Sequence, residues 1–168
     1  MIKIVDNFFD DEMYNKIIHH VKTKLHFTPR FWEGKEKTKE NHYGDRFVLN
    51  SDKNLLDTFI KQIEKKFNFK IKEVHFDCGI DLRNLDDWVP HIDKDYKINV
   101  LVMLDGPIGV TTGTVFYTEG ELDIHIGFRP NRAILFPSRR LHSPHKCKLE
   151  GMRRYTASIF VKEYEGLL

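Results

Sequence analysis

The sequence is poor in cysteine and has no long apolar segment. Its two cysteines, Cys78 and Cys147, lie far apart and match no zinc-binding spacing. No apolar run approaches the roughly 18 residues of a membrane-spanning helix, and the N-terminal residues MIKIVDNF do not resemble a signal peptide. These features argue against a disulfide-stapled secreted domain and a helical membrane protein. We expect a reduced, soluble, cytoplasmic protein without a membrane partner.

The sequence also lacks an excess of charge of either sign. Its 27 basic and 25 acidic residues give a net charge of +2, which offers no general argument for binding to nucleic acid or to a membrane surface. The chain has 168 residues, of which 40% are hydrophobic and 12% aromatic. This length and composition predict one globular domain over residues 1–168.

The first part of the sequence has the pattern of two helices. MIKIV predicts a short strand, and DNFFDDEMYNKIIHHVKTKL predicts an amphipathic helix that Asp10 or Asp11 can cap. The following segment TPRFWEGKEKTKENHYGDRF is polar and contains glycine and proline, so we expect a long mobile loop. A second helix is predicted over residues 54–67.

From residue 71 onward the hydrophobic period changes from 3.6 to 2. IKEVHFDCGIDL alternates as a strand, and KINVLVML is a nearly continuous apolar strand. Further short strands are predicted at GTVFYT, LDIHIGF, RAILFP, HKCKL and RRYTASIFV. The fold class is therefore α+β and mainly β, a double-stranded β-helix (jelly roll) with the N-terminal helices packed on one sheet.

One His-x-Asp sequence stands in a context that favours a metal site. About one such match is expected by chance in this composition, and the chain contains two. His75 and Asp77 fall on the polar face of an alternating strand, where solvated side chains are the simpler interpretation. His91 and Asp93 follow a proline and precede a buried strand, and residues i and i+2 of an extended chain project to the same side.

A third metal ligand is expected from the segment after Phe136, where two histidines compete. In an unbroken strand, an inward His145 leaves Lys146 and Lys148 facing water, whereas an inward His142 carries both lysines into the core. Alternation therefore favours His145, with His142 as the alternate ligand if the strand bulges near Pro144. Two imidazoles and one carboxylate suit non-haem Fe(II), although zinc enzymes also use this set.

An arginine follows at the start of the last predicted strand. Arg154, Thr156 and Ser158 share one face of RRYTASIFV. An inward arginine needs an anionic partner, and its planar fork suits a carboxylate. The far carboxylate of a dicarboxylic cosubstrate such as 2-oxoglutarate would be that partner. Arg153 is the alternate residue for this role, and a surface arginine pair at a hairpin is the competing interpretation.

In this order the motifs resemble the Fe(II)/2-oxoglutarate-dependent dioxygenases of the prolyl-4-hydroxylase-like type. The resemblance covers most of the chain, from KIVDNFFDDEMYNKII through VPHID, VLVMLDG, TTGTVFY and PNRAILFPS to HKCKLEGMRRYTASIF. The chain departs from the family pattern where Thr112-Gly113 replaces Gly-Gly and where Met103 stands in place of a tyrosine.

The resemblance implies roles for particular residues. His91, Asp93 and His145 (or His142) would bind Fe(II), and Arg154 would bind the far carboxylate of 2-oxoglutarate with help from Ser158. The implied reaction couples oxidative decarboxylation of 2-oxoglutarate by O2 to hydroxylation of a C–H bond. Peptidyl proline is the substrate that the resemblance suggests. A jelly-roll metal enzyme that does not use 2-oxoglutarate, and a non-catalytic binding module, remain as alternatives.

The sequence offers few signals of the substrate. In the polar segment before the predicted strands, Arg30, Trp32 and Tyr43 are candidates for contact with substrate, as part of a lid over the site. Relatives that demethylate nucleic acids carry a second arginine six residues after the cosubstrate arginine, and the corresponding positions here hold Ile159 and Phe160. A protein, peptide or small molecule is therefore favoured over nucleic acid.

Overall fold

The fold is described from a computed structural model of the chain. It describes residues 1–31, 34–38, 41–83, 89–145 and 153–166. Within these residues two α-helices, one 3₁₀ turn and eleven β-strands are present. The helices are α1 Asp11–Thr23 and α2 Lys53–Phe67. The strands are β1 Lys3–Val5, β2 Thr28–Phe31, β3 His42–Val48, β4 Lys70–Val74, β5 Gly79–Arg83, β6 Ile98–Asp105, β7 Gly109–Thr118, β8 Glu121–Phe128, β9 Arg132–Pro137, β10 His142–Pro144 and β11 Arg154–Glu165.

Side-chain caps determine where the two helices begin. The carboxylate of Asp10 accepts a hydrogen bond from the backbone N–H of Met13 at 2.8 Å, and Asp52 accepts one from Leu55 at 3.0 Å. Each cap satisfies an N–H group that has no partner inside its helix. Helix α2 ends at Asn68, which adopts a left-handed conformation with φ of 58°. No helix of the described residues is long and apolar enough to span a membrane.

The strands form two antiparallel sheets. The large sheet has the order β1-β9-β6-β11-β5-β3-β2, with β4 also paired to β11, and the small sheet has the order β10-β7-β8. Alternation gives the large sheet two different faces. Side chains such as Val100, Ala157 and Ile159 point to a core shared with the helices. Asn99, Thr156 and Ser158 point instead to the space between the sheets.

A second, smaller core lies between the two sheets. Its buried members come from β6, β7, β8 and β9: Met103, Phe116, Ile126, Phe128, Ile134 and Phe136. The predicted arrangement, a jelly roll with the N-terminal helices on one sheet, is thereby confirmed. The two apolar clusters leave the remaining inner surface of the large sheet to polar side chains.

Two local predictions were wrong. The segment predicted as a long loop contains β2 and β3, which pair with each other and extend the large sheet beyond β5. The alternating run IKEVHFDCGIDL is two strands rather than one, because a turn separates β4 from β5 and leaves Phe76 77% exposed. His75 and Asp77 therefore lie in a turn and not on a strand.

Candidate metal centre

The backbones of His91 and His142 are paired directly. His91 forms an isolated antiparallel bridge with His142, the first residue of β10. The N–H of His91 donates to the carbonyl of His142 at 2.9 Å, and the N–H of His142 donates to the carbonyl of His91 at 3.0 Å. The two imidazole rings lie side by side, with centroids 4.6 Å apart. Main-chain pairing thus fixes the spacing of these rings.

Asp93 is held next to the two histidines. Its N–H donates to the carbonyl of Ser138 at 2.8 Å, just beyond the end of β9. One carboxylate oxygen, Oδ2, lies 3.6 Å from Nε2 of His142 and accepts a hydrogen bond from Nδ2 of Asn99 at 2.9 Å. Asn99 lies on β6 and is 4% exposed. A buried amide therefore orients the carboxylate towards the imidazoles.

The donor set fits a divalent metal ion. One ligand atom each from His91, Asp93 and His142 lies within 4.8 Å of the others. Nδ1 of His91 lies 3.1 Å from the carbonyl of Val89, and Nδ1 of His142 lies 2.7 Å from the carbonyl of Arg140. When each Nδ1–H donates to its carbonyl, each Nε2 presents a lone pair, which is the usual arrangement of metal-binding histidines.

Burial favours the coordinating form of His142. It lowers the pKa of His142 below its usual value of 6.5, because the charged imidazolium is poorly solvated there. Neutral imidazole is the form that binds metals. Two imidazoles and one carboxylate on one side of an octahedral ion leave open positions, which suits non-haem iron.

His145, which strand alternation favoured as the third ligand, lies elsewhere. Its ring packs against His125, with centroids 4.6 Å apart, and its N–H donates to the carbonyl of Gly113 at 2.9 Å. The alternation argument assumed one unbroken strand from residue 142 to residue 149. Strand β10 ends at Pro144, and residues 146–150 lie outside the described residues. The place beside His91 and Asp93 is held by His142.

A cavity of about 220 Å³ opens between the sheets beside these ligands. The residues His91, Asp93 and His142 line it, together with Arg154 and Ser158 of β11. Arg154 is 7% exposed, and Ser158 is also 7% exposed. The cavity therefore combines a cluster of metal-binding groups with a buried guanidinium.

Arg154 is set against the small sheet. Its Nη1 lies 3.4 Å from the carbonyl of Gly113, and its guanidinium carbon lies 5.9 Å from the centre of the Phe128 ring. Arg153, the alternate residue for the same role, is exposed and is not among the residues that line the cavity. Within the described residues, Arg154 is thus the arginine that the last strand contributes to this space.

Gly113 is required by the close approach of β7 and β8. Its φ is +121°, and an added Cβ would lie 2.1 Å from the carbonyl oxygen of Ile126. A side chain at this position would push the small sheet apart. Because Gly113 also contacts His145 and Arg154 through its carbonyl, the glycine helps to place the two chain segments that flank the cavity.

Several cavity residues gave little signal in the sequence. Asn99 and Thr114 line the cavity, yet a polar residue inside an apolar strand is easily taken for a tolerated exception. An ion pair between Arg46 and Asp81 also lines it. Arg46 lies in the segment predicted as a loop, and its partner is distant in sequence, so only the folded chain brings the two together.

Of the three residues predicted to contact substrate, Arg30 and Tyr43 lie within the described residues. Arg30 lines the cavity, and its Nε donates to the hydroxyl oxygen of Tyr43 at 3.0 Å. Both lie on the paired strands β2 and β3. Trp32 lies outside the described residues.

Comparisons with known proteins identify the fold. No family model and no curated protein matches the sequence. HygX from Streptomyces hygroscopicus, solved with nickel and 2-oxoglutarate bound, aligns with a TM-score of 0.68 at 9% identity, over 96% of this chain and 82% of that chain.

Two prolyl hydroxylases are also similar in structure. A prolyl hydroxylase from Trichoplax adhaerens, in complex with a hypoxia inducible factor oxygen degradation domain peptide fragment, has a TM-score of 0.62 at 14% identity, over 96% of this chain and 83% of that chain. A prolyl-4-hydroxylase from Pseudomonas putida has a TM-score of 0.63 at 10% identity, over 96% of this chain and 92% of that chain. The chain therefore has the jelly-roll fold of the Fe(II)/2-oxoglutarate oxygenases, as its motifs predicted.

Proposed function

We propose that this protein is an Fe(II)/2-oxoglutarate-dependent oxygenase that hydroxylates a C–H bond. The observation that carries the proposal is the convergence of His91, Asp93 and His142 in one cavity with the buried Arg154. Iron and 2-oxoglutarate, when bound, would supply oxidative decarboxylation and the activation of O2. The remaining tasks, which are binding, orientation and exclusion of water, belong to the side chains of the cavity.

In this proposal each group around the cavity has one task. His91, Asp93 and His142 hold the iron, and Asn99 orients the carboxylate of Asp93 through the hydrogen bond at 2.9 Å. Arg154 binds the far carboxylate of 2-oxoglutarate, and Ser158 is a hydroxyl on the same face of β11. A guanidinium buried to 7% exposure is stabilised by an anionic partner, which 2-oxoglutarate supplies.

Apolar side chains form another part of the cavity lining. Met103, Phe128 and Phe136 line it and are fully or almost fully buried. Beside a bound metal, these apolar side chains would keep water away and so limit side reactions. This distribution suits oxidation of an unactivated C–H bond better than hydrolysis, for which water must reach the metal.

Substrate identity is the finer part of the proposal. A peptide or a small molecule is favoured, and peptidyl proline is the first substrate to test, because two of the similar structures are prolyl hydroxylases. The test is the rate of succinate formation from 2-oxoglutarate, which a proline-containing peptide should increase if peptidyl proline is a substrate.

The central test is an anaerobic titration with Fe(II) and 2-oxoglutarate. A weak visible charge-transfer band should appear only when both are present, and His142→Ala should abolish it. A metal-loaded, folded protein that gives no band would favour a jelly-roll metal enzyme that does not use 2-oxoglutarate. Partner binding that persists under chelator and in His91→Ala would favour a binding module.

A further inference from the structure

One side of the cavity is built from charged side chains. In the strand order of the large sheet, β11 separates the strands of this side, β5, β3 and β2, from β6 and β9, which carry apolar residues. We call it the charged wall, and its members that line the cavity are Arg30, Arg46, Asp77, Asp81 and Arg83. Neither the proposed metal ligands nor Arg154 belongs to it. Charged groups are costly to withdraw from water, so each is expected to have an oppositely charged or hydrogen-bonding partner in the protein or in a ligand.

Arg46 and Asp81 form a structural pair within the wall. Nη1 of Arg46 lies 2.8 Å from both carboxylate oxygens of Asp81, and the two residues are 8% and 5% exposed. Gly79 makes room for this guanidinium, because an added Cβ would lie 2.6 Å from Nε of Arg46. The fold thus fixes Arg46 in place, and removing either partner would leave a buried charge.

The second acidic group of the wall is also engaged by Arg46. Nε of Arg46 lies 3.5 Å from the carboxylate of Asp77, and its Nη2 donates to the backbone carbonyl of Asp77. Arg83 lies 3.6 Å from the carboxylate of Asp81. Both carboxylates of the wall therefore already have arginine partners.

Arg30 differs from the other arginines of the wall. Its Nε donates to the hydroxyl oxygen of Tyr43 at 3.0 Å, a neutral partner. Within the described residues, which leave out 32–33, 39–40, 84–88, 146–152 and 167–168, no acidic side chain forms an ion pair with Arg30. Tyr43 anchors one edge of the guanidinium, and the two terminal nitrogens are the groups that form a bidentate fork.

We propose that Arg30 binds a carboxylate of the substrate, so that the substrate is a small organic acid or a peptide with an acidic side chain, and not a peptidyl proline without an acidic neighbour. This inference rests on the proposed function, since it assumes that the cavity holds the reacting group. The cavity of about 220 Å³ is smaller than the roughly 300–1,000 Å³ of ordinary ligand pockets. A compact group enters it, either a small free acid or one residue of a peptide.

The test uses a small carboxylate and its matched amide. 3-Fluoropropionate and 3-fluoropropanamide have nearly the same shape and differ in charge. Their binding to the full chain is measured by ¹⁹F NMR, with and without Zn(II) plus 2-oxoglutarate. We expect the acid to bind at least about tenfold more tightly than the amide, as for loss of one charge-assisted hydrogen bond. Arg30→Gln should remove this difference and Arg30→Lys should keep part of it.

Arg139→Gln provides the matched control, because Arg139 is exposed and does not line the cavity. It should behave as the unmodified protein. Equal binding of acid and amide, no binding of the acid, or an acid preference that survives in Arg30→Gln would each overturn the inference.

Two further measurements are needed. The first identifies whether the bound carboxylate belongs to a free acid or to a peptide side chain. The second shows whether a negative result contradicts the proposed function or only the role of Arg30. The blocked peptides acetyl-Gly-Asp-Gly-amide and acetyl-Gly-Asn-Gly-amide are tested as competitors. Displacement of the acid by the aspartate peptide alone indicates an acidic side chain, and displacement by neither indicates a free acid. The Fe(II) and 2-oxoglutarate band is recorded in Arg30→Gln. A band that is absent even from the unmodified protein contradicts the proposed function, whereas a normal band without acid preference contradicts only the role of Arg30.

Discussion

His91 and His142 exchange two backbone hydrogen bonds, at 2.9 and 3.0 Å, and this pairing places their imidazoles side by side. The spacing depends on main-chain groups and not on the side chains themselves. Replacing one imidazole therefore removes a ligand without removing the pairing that holds the segment. This property makes ligand substitutions interpretable, since the variant chain should retain its fold.

The first prediction concerns the third metal ligand. His142→Ala should weaken Fe(II) binding by more than about 100-fold, because loss of residues that only orient a ligand already weakens binding by roughly 10- to 100-fold. His145→Ala should leave the affinity almost unchanged, since His145 packs against His125. Competition with a fluorescent chelator under anaerobic conditions measures both. The opposite ranking of the two variants would reject this ligand set.

The second prediction concerns Asn99. Its Nδ2 donates to Asp93 at 2.9 Å, so Asn99→Ala should lower Fe(II) affinity by roughly 10- to 100-fold through misorientation of the carboxylate. The same chelator competition measures the effect, and thermal denaturation of the metal-free protein checks the fold. Unchanged Fe(II) affinity in a folded variant would mean that the hydrogen bond from Asn99 does not orient Asp93 for metal binding.

The third prediction concerns recognition of 2-oxoglutarate. Arg154→Gln should raise its dissociation constant by roughly 10- to 100-fold, as for loss of charge-assisted hydrogen bonds, and Arg154→Lys should fall between because lysine offers no planar fork. Arg153→Gln is the control, since Arg153 is exposed. 2-Oxopentanoate, which lacks the far carboxylate, should bind the unmodified protein and Arg154→Gln equally weakly. A large effect of Arg154→Gln on this monoacid would point to a different role.

The fourth prediction concerns acid stability. Asp6 follows β1 and bonds Arg132 at 2.6 and 3.0 Å. The hydrogen bond and the charge of Arg132 hold the pKa of Asp6 below its usual value of 3.8, with a smaller contribution from Arg129. A lowered folded-state pKa stabilises the fold above pH 3.8, and this stabilisation is lost as the pH falls through the folded-state value.

Asp6→Asn should therefore lower the free energy of unfolding at neutral pH by at most about 1 kcal/mol, since the pair is partly exposed. Urea denaturation of both chains over a pH series measures the difference. It should be constant near neutral pH, begin to shrink as the pH approaches 3.8, and continue to shrink below that value. A difference that grows with acidity would contradict the assignment.

The sequence predicted the fold through signals that are local. Apolar patterns typical of strands predicted β6, β8, β9 and β11. Helical spacing predicted both helices, and a capping aspartate was predicted for the first helix. The strands β2 and β3 were missed because they sit at one end of the large sheet and carry mainly polar residues, among them Arg30, Tyr43 and Arg46. Their pairing partners, and not their own sequence, make them strands.

Less of the candidate site than of the fold could be predicted from the sequence. His91 and Asp93 stood out through one short motif, and alternation along the last strand put Arg154 and Ser158 on one face. The choice between His142 and His145 depended on where a three-residue strand ends, which alternation alone does not show. Asp77 was set aside as solvated, although it lines the cavity, because its neighbours come from distant segments.

Within a single strand of the large sheet, alternate residues contribute to fold stability and to the cavity lining. Along β11, Ala157 and Ile159 belong to the core under the helices, while Thr156 and Ser158 border the cavity. A replacement at one of the latter positions leaves the helix-facing packing untouched. New substrate preferences are therefore open to this scaffold by changes at every second residue, without the chain first having to become more stable.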